Sequence, residues 1–374
     1  MRLWSPGTTS ERFCYALGTE ETKMSYHGII EKYKRYLPFS ADVVPVTLYE
    51  GNTPLIEADN LQRELKADCK IFLKFEGVNP TGSFKDRGMT VAITQAVIEG
   101  SRGVICASTG NTSASAAAYA AKAKLRAFVV LPKGKIAAGK LAQALIYGAK
   151  VIEIEGNFDE ALKIVREVGE KTRTTIVNSI NPYRIEGQKT ASFEIVEELG
   201  ASPTFHALPV GNAGNITAYW KGYKEICTER GLKRPKILGF QARGAAPIVE
   251  GRVIERPETV ATAIRIGNPA SWSGALEAVN ESGGKISTVT DDEILAAQRL
   301  IASTEGIFCE PASASSVAGI ARLIKVGFFT KKDIVVCTLT GNGLKDPDIV
   351  SKGVEYRSTT VRAKYEEVIK LIEQ

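Results

Sequence analysis

The architecture of this chain follows from residues 70–131, which read KIFLKFEGVNPTGSFKDRGMTVAITQAVIEGSRGVICASTGNTSASAAAYAAKAKLRAFVVL. Short apolar runs at 70–76, 103–107 and 126–131 predict β-strands, and the alanine-rich segment 111–124 predicts a helix. Because strands that alternate with helices are typical of βαβ units, this stretch predicts a parallel sheet.

The alternation continues through the rest of the chain and restarts after residue 178. Residues 290–293, Thr-Asp-Asp-Glu, fit a capping box ahead of a helix at 291–304. We therefore predict an α/β protein with two parallel, twisted sheets, or one such sheet in two lobes, flanked by helices. Further strands are predicted at 150–154, 175–177, 204–210, 236–241, 285–289 and 333–339, and a further helix at 157–172.

Composition excludes several classes of function. The chain has 374 residues and a formal net charge of +6, but its Lys and Arg side chains are scattered among acidic ones, which argues against nucleic-acid binding. It has only two histidines, too few for a histidine-rich zinc site or a Ser-His-Asp triad, so no metal is expected. No apolar run is long enough to span a membrane.

The six cysteines and the first residues bear on location. No pair of cysteines has C-x-x-C spacing, and several lie in apolar runs, which indicates reduced, buried thiols in a cytoplasmic protein. Residues 1–23 lack the apolar core of a signal peptide, and we expect them to form a disordered N-terminal extension.

The first motif that carries chemistry is residues 79–87, Asn-Pro-Thr-Gly-Ser-Phe-Lys-Asp-Arg, between a predicted strand and a predicted helix. The positive end of a helix dipole disfavours the charge on Lys85, which makes its amine easier to deprotonate and so a better nucleophile. The alternative is a surface lysine paired with Asp86. A phosphate-binding P-loop is excluded, because Ser83 and Phe84 stand where its Lys and Ser/Thr should be.

Four more motifs each follow a predicted strand. Residues 107–113 (ASTGNTS) and 209–215 (PVGNAGN) open helices, where free N–H groups can bind a carboxylate and a phosphate. Residues 339–343 (LTGNG) place the Thr340 hydroxyl at a strand end, and residues 178–188 carry Arg184, a fork of donors for a further anion. Each motif also has an alternative reading without a ligand. Residues 107–113 could be a simple N-cap and residues 209–215 a glycine turn. Residues 339–343 could be a common turn, and Arg184 a solvated side chain. Because ligands bind beyond the carboxyl ends of parallel strands, we predict one shared site.

Taken together, the five segments resemble the threonine synthases, a family of fold-type-II enzymes that depend on pyridoxal phosphate (PLP). The resemblance runs from about residue 24 to about residue 350, with the motifs in family order. It implies a two-lobed, tryptophan synthase β-like fold. Residues 24–84 and 178–374 would form a large PLP-binding domain, and residues 85–177 a smaller, mobile domain.

The resemblance also implies roles for individual residues. Lys85 is similar to the catalytic lysine that binds PLP covalently, Asn111 to the partner of its phenolic oxygen, and Thr340 to the partner of its ring nitrogen. The phosphate of PLP would bind Gly211, Asn212, Ala213, Gly214 and Asn215. The substrate carboxylate would bind Ser108, Thr109, Thr112 and Ser113, and the substrate phosphate Ser83, Asn178, Ser179, Arg184 and Asn212.

The implied reaction converts O-phospho-L-homoserine and water to L-threonine and phosphate, in a homodimer with no nucleic-acid or membrane partner. The alternative within this class is a PLP-dependent threonine or serine dehydratase. Dehydratases typically carry Ser-Gly-Asn-His where this chain has Thr109-Gly110-Asn111-Thr112. A binding protein without catalytic activity is a further alternative, although binding alone would not need the lysine.

Overall fold

The fold was analysed in a computed structural model, which describes residues 25–133, 138–347, 349 and 358–373. The predicted N-terminal extension at 1–23 lies outside these residues. Within the described part, ten strands form two sheets flanked by helices, and none of the helices is long and apolar enough to cross a membrane. The structure thus shows the predicted α/β fold with two sheets.

The larger sheet has six strands in the order β1-β2-β10-β7-β8-β9. Only β1 is antiparallel to its neighbour, whereas the remaining pairs are parallel. The strands are β1 (Leu55–Glu57), β2 (Lys70–Phe75), β7 (Phe205–Pro209), β8 (Lys236–Ala242), β9 (Lys285–Val289) and β10 (Ile334–Leu339).

The smaller sheet is wholly parallel and has the order β5-β4-β3-β6. All of its strands come from one continuous part of the chain, between the second and seventh strands. They are β3 (Gly103–Ala107), β4 (Arg126–Pro132), β5 (Lys150–Ile154) and β6 (Thr174–Ile176).

Helices cover both faces of both sheets. The helices are α1 (Ile29–Lys32), α2 (Asp59–Leu65), α3 (Lys85–Ile98), α4 (Asn111–Lys122), α5 (Ala138–Ile146), α6 (Phe158–Lys171), α7 (Pro182–Leu199), α8 (Gly214–Glu229), α9 (Pro247–Glu250), α10 (Trp272–Ser282), α11 (Asp291–Glu305), α12 (Pro311–Lys325) and α13 (Tyr365–Ile372). One face of the larger sheet packs on α2, α11 and α12, and the other on α1, α7, α8 and α10. The smaller sheet packs on α3, α4 and α5 on one face and on α6 on the other.

Local signals in the sequence placed most elements correctly. The capping box is present, since the Thr290 hydroxyl accepts from the Glu293 amide while the Glu293 carboxylate accepts from the Thr290 amide. His206 is a buried residue with both ring nitrogens hydrogen-bonded, 2.9 Å from the Tyr223 hydroxyl and 2.7 Å from the Thr338 hydroxyl. Burial lowers its pKa to about 3, so the ring is neutral.

Candidate active site

The loop before Lys85 is fixed to the loop after β10. The Phe84 amide donates to the Thr340 carbonyl at 3.0 Å, and the Asn342 amide donates to the Gly82 carbonyl at 2.9 Å. Gly82 adopts φ +84°, a left-handed conformation that glycine accepts without strain. Two of the five predicted motifs therefore meet at one end of the larger sheet.

Lys85 is the first residue of α3, as its motif predicted. Part of its side chain stays accessible, yet protein atoms surround the ammonium so closely that burial lowers its pKa to about 7. The positive charge of Arg184 lowers the pKa further, and Glu310 opposes both effects. Burial and Arg184 thus lower the pKa of Lys85, in the same direction that its position at the start of a helix predicts. About half of the Lys85 amines are neutral at pH 7.

Asp86 anchors the start of α3 and does not serve as the partner of Lys85. Its carboxylate accepts from the Thr81 amide at 2.7 Å and from the Thr81 hydroxyl at 2.6 Å. It also accepts from the Ser115 hydroxyl of α4 at 2.6 Å. These three bonds account for the carboxylate, so the alternative of a Lys85–Asp86 surface pair does not describe this structure.

A buried cluster of charged side chains surrounds Arg87 of α3. The Arg87 guanidinium donates to both carboxylate oxygens of Glu76 at 2.7 and 2.8 Å, and to both oxygens of Glu194 at 2.8 and 2.6 Å. Lys74 adds a further bond to Glu194 at 2.7 Å. The four side chains are at most 5% exposed, and sequence reasoning missed their association because Glu194 in α7 lies far along the chain from the other three.

Asn111 and Thr340, predicted partners of one ligand ring, share a buried neighbour. The Glu310 carboxylate accepts from the Asn111 side-chain amide at 3.0 Å and from the Thr340 hydroxyl at 3.1 Å. The Ser313 hydroxyl lies 2.9 Å from the Thr340 hydroxyl. Sequence reasoning missed Glu310, although a Glu-Pro pair ahead of the small-residue helix ASASSVAG was visible. The structure therefore brings these two predicted residues to one carboxyl group.

The glycine-asparagine turn at 211–215 leads from β7 into α8. Ala213 adopts φ +62° as the N-cap, and no side chain caps the helix, so its first amides can serve a ligand. The Asn212 side chain accepts from the Ala270 amide at 3.2 Å, and a Cβ on Gly211 would approach Ile264 Cα to 2.9 Å. The Asn215 side-chain oxygen is buried and has no partner within the described residues.

The predicted carboxylate loop follows β3 and opens α4. Ser108, Thr109, Gly110 and Thr112 are half-buried, whereas Ser113 is buried. The Ser108 hydroxyl accepts from the Gly110 amide at 3.2 Å, and the Ser113 hydroxyl donates to the Gly110 carbonyl at 2.8 Å. A Cβ on Gly110 would meet no described atom within 4 Å, so this turn leaves open space in front of the helix.

Arg184 is buried, in contrast to the solvated arginine that was its alternative. It is 1% exposed, its Nη1 donates to the Val177 carbonyl at 2.7 Å, and its Nε has no partner within the described residues. Burial lowers its pKa to about 10, an unusual value for a guanidinium. None of the ion pairs within the described residues involves Arg184, and the Asp86 carboxylate acts on it through its charge without a direct hydrogen bond.

The other residues predicted to bind the substrate phosphate with Arg184 differ in their burial and in their hydrogen bonds. The Asn178 side chain is engaged with the backbone of Ala107, accepting from its amide and donating to its carbonyl, both at 3.0 Å. Ser83 is buried in the loop before Lys85, and Ser179 is half-buried after β6. Their roles as phosphate ligands stay predictions.

Comparison with known proteins gives an independent result. The family model described as "Pyridoxal-phosphate dependent enzyme" matches residues 46–341. A threonine synthase of Halalkalibacterium halodurans is 59% identical over 330 residues, covering 88% of this chain and 93% of the relative. A threonine synthase of Methanocaldococcus jannaschii is 51% identical over 334 residues, covering 87% of this chain and 82% of the relative.

Solved structures of low identity share the fold. A cysteine synthase from Entamoeba histolytica superposes with a TM-score of 0.73 at 18% identity, covering 95% of this chain and 96% of that chain. A maize serine racemase gives a TM-score of 0.68 at 22% identity, covering 81% of this chain and 92% of that chain.

Proposed function

Because the chain belongs to the threonine synthases, within the PLP-dependent enzymes of fold type II, we propose that the residues around Lys85 are its active site. The chain depends on PLP and is a carbon–oxygen lyase that acts in threonine biosynthesis, converting O-phospho-L-homoserine and water to L-threonine and phosphate.

The residues present fit PLP. Lys85 supplies an amine that is about half neutral at pH 7, as covalent attachment to an aldehyde needs. The uncapped first turn of α8 offers amides to a phosphate, and Asn111 and Thr340 offer polar groups to a ring. When bound, PLP supplies an electron sink that stabilises negative charge next to the amino group of the substrate.

Arg184 is the residue that most strongly supports a phosphorylated substrate. A guanidinium that is 1% exposed and forms no ion pair within the described residues is costly, since it has lost water and the Asp86 carboxylate acts on it without a direct bond. A substrate phosphate would restore that charge balance and accept from the free Nε. The charge of Arg184 also lowers the pKa of Lys85, which supports an anion site close to the reactive amine.

The remaining residues bind the other end of the substrate and move protons. The hydroxyl-rich turn of Ser108, Thr109, Thr112 and Ser113, at the N-terminus of α4, would bind the substrate carboxylate. The Lys85 amine would then remove the proton from Cα of the substrate. Loss of a second proton from Cβ, departure of phosphate from Cγ, protonation of Cγ, addition of the hydroxyl of water at Cβ and return of a proton to Cα would complete the reaction.

Incubation of the PLP-loaded protein with O-phospho-L-homoserine tests this function. We expect phosphate and threonine to appear in equal amounts, and Lys85→Ala to abolish both products together with any borohydride-trapped cofactor. A threonine or serine dehydratase, the alternative, would instead convert threonine to 2-oxobutyrate and ammonia. Retained turnover in Lys85→Ala would remove Lys85 from the mechanism.

Several properties of the whole protein belong to the same proposal. We infer a large PLP-binding domain of residues 24–84 and 178–374 and a mobile smaller domain of residues 85–177, because the smaller sheet lies within 103–176. We also propose a cytoplasmic homodimer that binds no nucleic acid. Gel filtration at several protein concentrations would test the dimer.

A further inference from the structure

Two glycines lie where α3 and α7 pack together, and the proposed mechanism gives neither of them a role. Gly187 of α7 is buried, and a Cβ there would lie 1.9 Å from the Arg87 carbonyl oxygen and 2.9 Å from Gly88 Cα. Gly88 of α3 is buried as well. Because glycine lacks the Cβ that would hold two backbones apart, these residues set how closely α7 approaches α3.

The side of Gly88 that faces α7 is in contact with Arg184. A Cβ on Gly88 would lie 2.7 Å from Arg184 Nε and 2.7 Å from the Arg184 carbonyl oxygen. It would also lie 2.9 Å from Gln188 Nε2, one helical turn further along α7. All three distances are shorter than van der Waals contact, so the bare backbone of Gly88 supplies space that Arg184 occupies.

This space lies on the face of α3 that carries Lys85. Gly88 and Lys85 are three positions apart, so they are neighbours on one face of the helix. Arg184 Nη1 donates to the Val177 carbonyl at 2.7 Å, while Nε lies against Gly88. These two contacts hold the guanidinium along the first turn of α3, on the same side as the amine of Lys85.

Resting on the proposed function, in which Arg184 binds the substrate phosphate near Lys85, we infer that Gly88 is a positioning residue for Arg184. A side chain at position 88 would push Nε and the start of α7 away from α3, and the phosphate site would move away from the amine with them. Gln188 lines the same space, is 4% exposed and has no partner for its Oε1 within the described residues. Gly88 and Gln188 thus act on the substrate through Arg184.

The charges that act on Lys85 allow the position of Arg184 to be measured. Arg184 of α7 lowers the pKa of Lys85, and Glu310 at the start of α12 raises it. A methyl group at Gly88 would press against Arg184 and Gln188, so it should change the contribution of Arg184 in particular. The groups that act on Arg184 through their charge are Asp86 and Cys106.

Gly88→Ala tests the inference with the smallest side chain that can be added. Gly222→Ala is the matched control, because Gly222 of α8 also lies against α7. A Cβ on Gly222 would lie 2.1 Å from Ser192 Oγ and 2.4 Å from the Lys189 carbonyl oxygen, so it would press on α7 at residues other than Arg184. Gln188→Ala is a second variant, which enlarges the space around Arg184 without adding an atom.

Three quantities are measured for each protein: the rate of covalent PLP attachment to the apoprotein across pH, kcat/KM for O-phospho-L-homoserine, and stability to urea. In Gly88→Ala the midpoint of attachment should move from about pH 7 to about pH 7.5, because a positive charge has moved away from Lys85. The value of kcat/KM should fall about tenfold, because the phosphate is misplaced. Gln188→Ala should change both quantities in the same direction but less.

Gly222→Ala should lose stability and keep the wild-type midpoint and kcat/KM. Wild-type values of both in Gly88→Ala would overturn the inference, and so would equal changes in Gly222→Ala, which would show a general effect of loosening α7. If Gly88→Ala does not fold, wild-type values in Gln188→Ala would overturn it. The midpoint needs only PLP, and turnover by the wild-type protein is checked separately, so failure of the inference is distinguishable from failure of the proposed function.

Discussion

At the residue scale, Lys85 shows how an ordinary side chain becomes reactive. Its sequence context placed it correctly at the start of a helix, but the environment that lowers its pKa comes from residues far along the chain, among them Arg184. A local sequence pattern cannot predict that Arg184 will act on Lys85. Glu310 was missed for the same reason, since its partners Asn111 and Thr340 are brought to it only by the folded chain.

The lowered pKa of Lys85 predicts how the apoprotein takes up PLP. Only the neutral amine attacks an aldehyde, so the rate of covalent attachment should rise from about pH 6 to about pH 8 and then level off. The midpoint should lie near the Lys85 pKa of about 7. Rapid-mixing absorbance would measure this rate, and a rate that still rises steeply at about pH 10, as for a solvated lysine, would contradict it.

Arg184→Met separates binding of the substrate phosphate from a structural role. Loss of a charge-assisted hydrogen bond, worth about 1.5–3 kcal/mol, should raise the KM for O-phospho-L-homoserine about 10- to 100-fold. The free energy of unfolding should stay the same or rise, because the variant removes a buried charge that burial destabilises and that forms no direct ion pair within the described residues. A large loss of stability with unchanged KM would show that Arg184 is structural.

At the scale of elements, local patterns predicted the positions of strands and helices well. They did not predict which strands pair with each other. The predicted strands at 103–107, 150–154 and 285–289 match β3, β5 and β9 at both ends. The antiparallel edge strand β1 has only three residues, too few for a periodicity to show. The pairing of β2 with β10 joins segments far apart in the chain, which apolar periodicity cannot register.

The buried ion cluster predicts the stability of the α3–α7 packing. Arg87→Met should leave Glu76 buried without its cation and Glu194 with Lys74 alone, at a cost of about 3–5 kcal/mol in the free energy of unfolding. Lys133→Met is the matched control, since its pair with Glu155 is 71% and 88% exposed and should matter by less than about 1 kcal/mol. Urea unfolding measures both, and equal effects of the two substitutions would contradict this account.

At the scale of the whole molecule, parallel strands bring polar turns to the same end of each sheet. The turns after β2 and β10 are hydrogen-bonded to each other, and Asn111 at the start of α4 reaches Glu310 beside them. The sequence predicted that these turns lie close together, because ligands bind beyond the carboxyl ends of the strands in open parallel sheets. It could not predict which polar groups would stay free for ligands, because that depends on partners such as Ala107 for Asn178.

The central claim is that the site around Lys85 replaces phosphate at Cγ by adding water at Cβ. Turnover of O-phospho-L-homoserine in H₂¹⁸O by the PLP-loaded protein tests it most directly, with mass spectrometry of both products. We predict one ¹⁸O atom in the hydroxyl of threonine and none in the released phosphate, because the bond from Cγ to oxygen breaks. Labelled phosphate with unlabelled homoserine would show simple ester hydrolysis and contradict the claim.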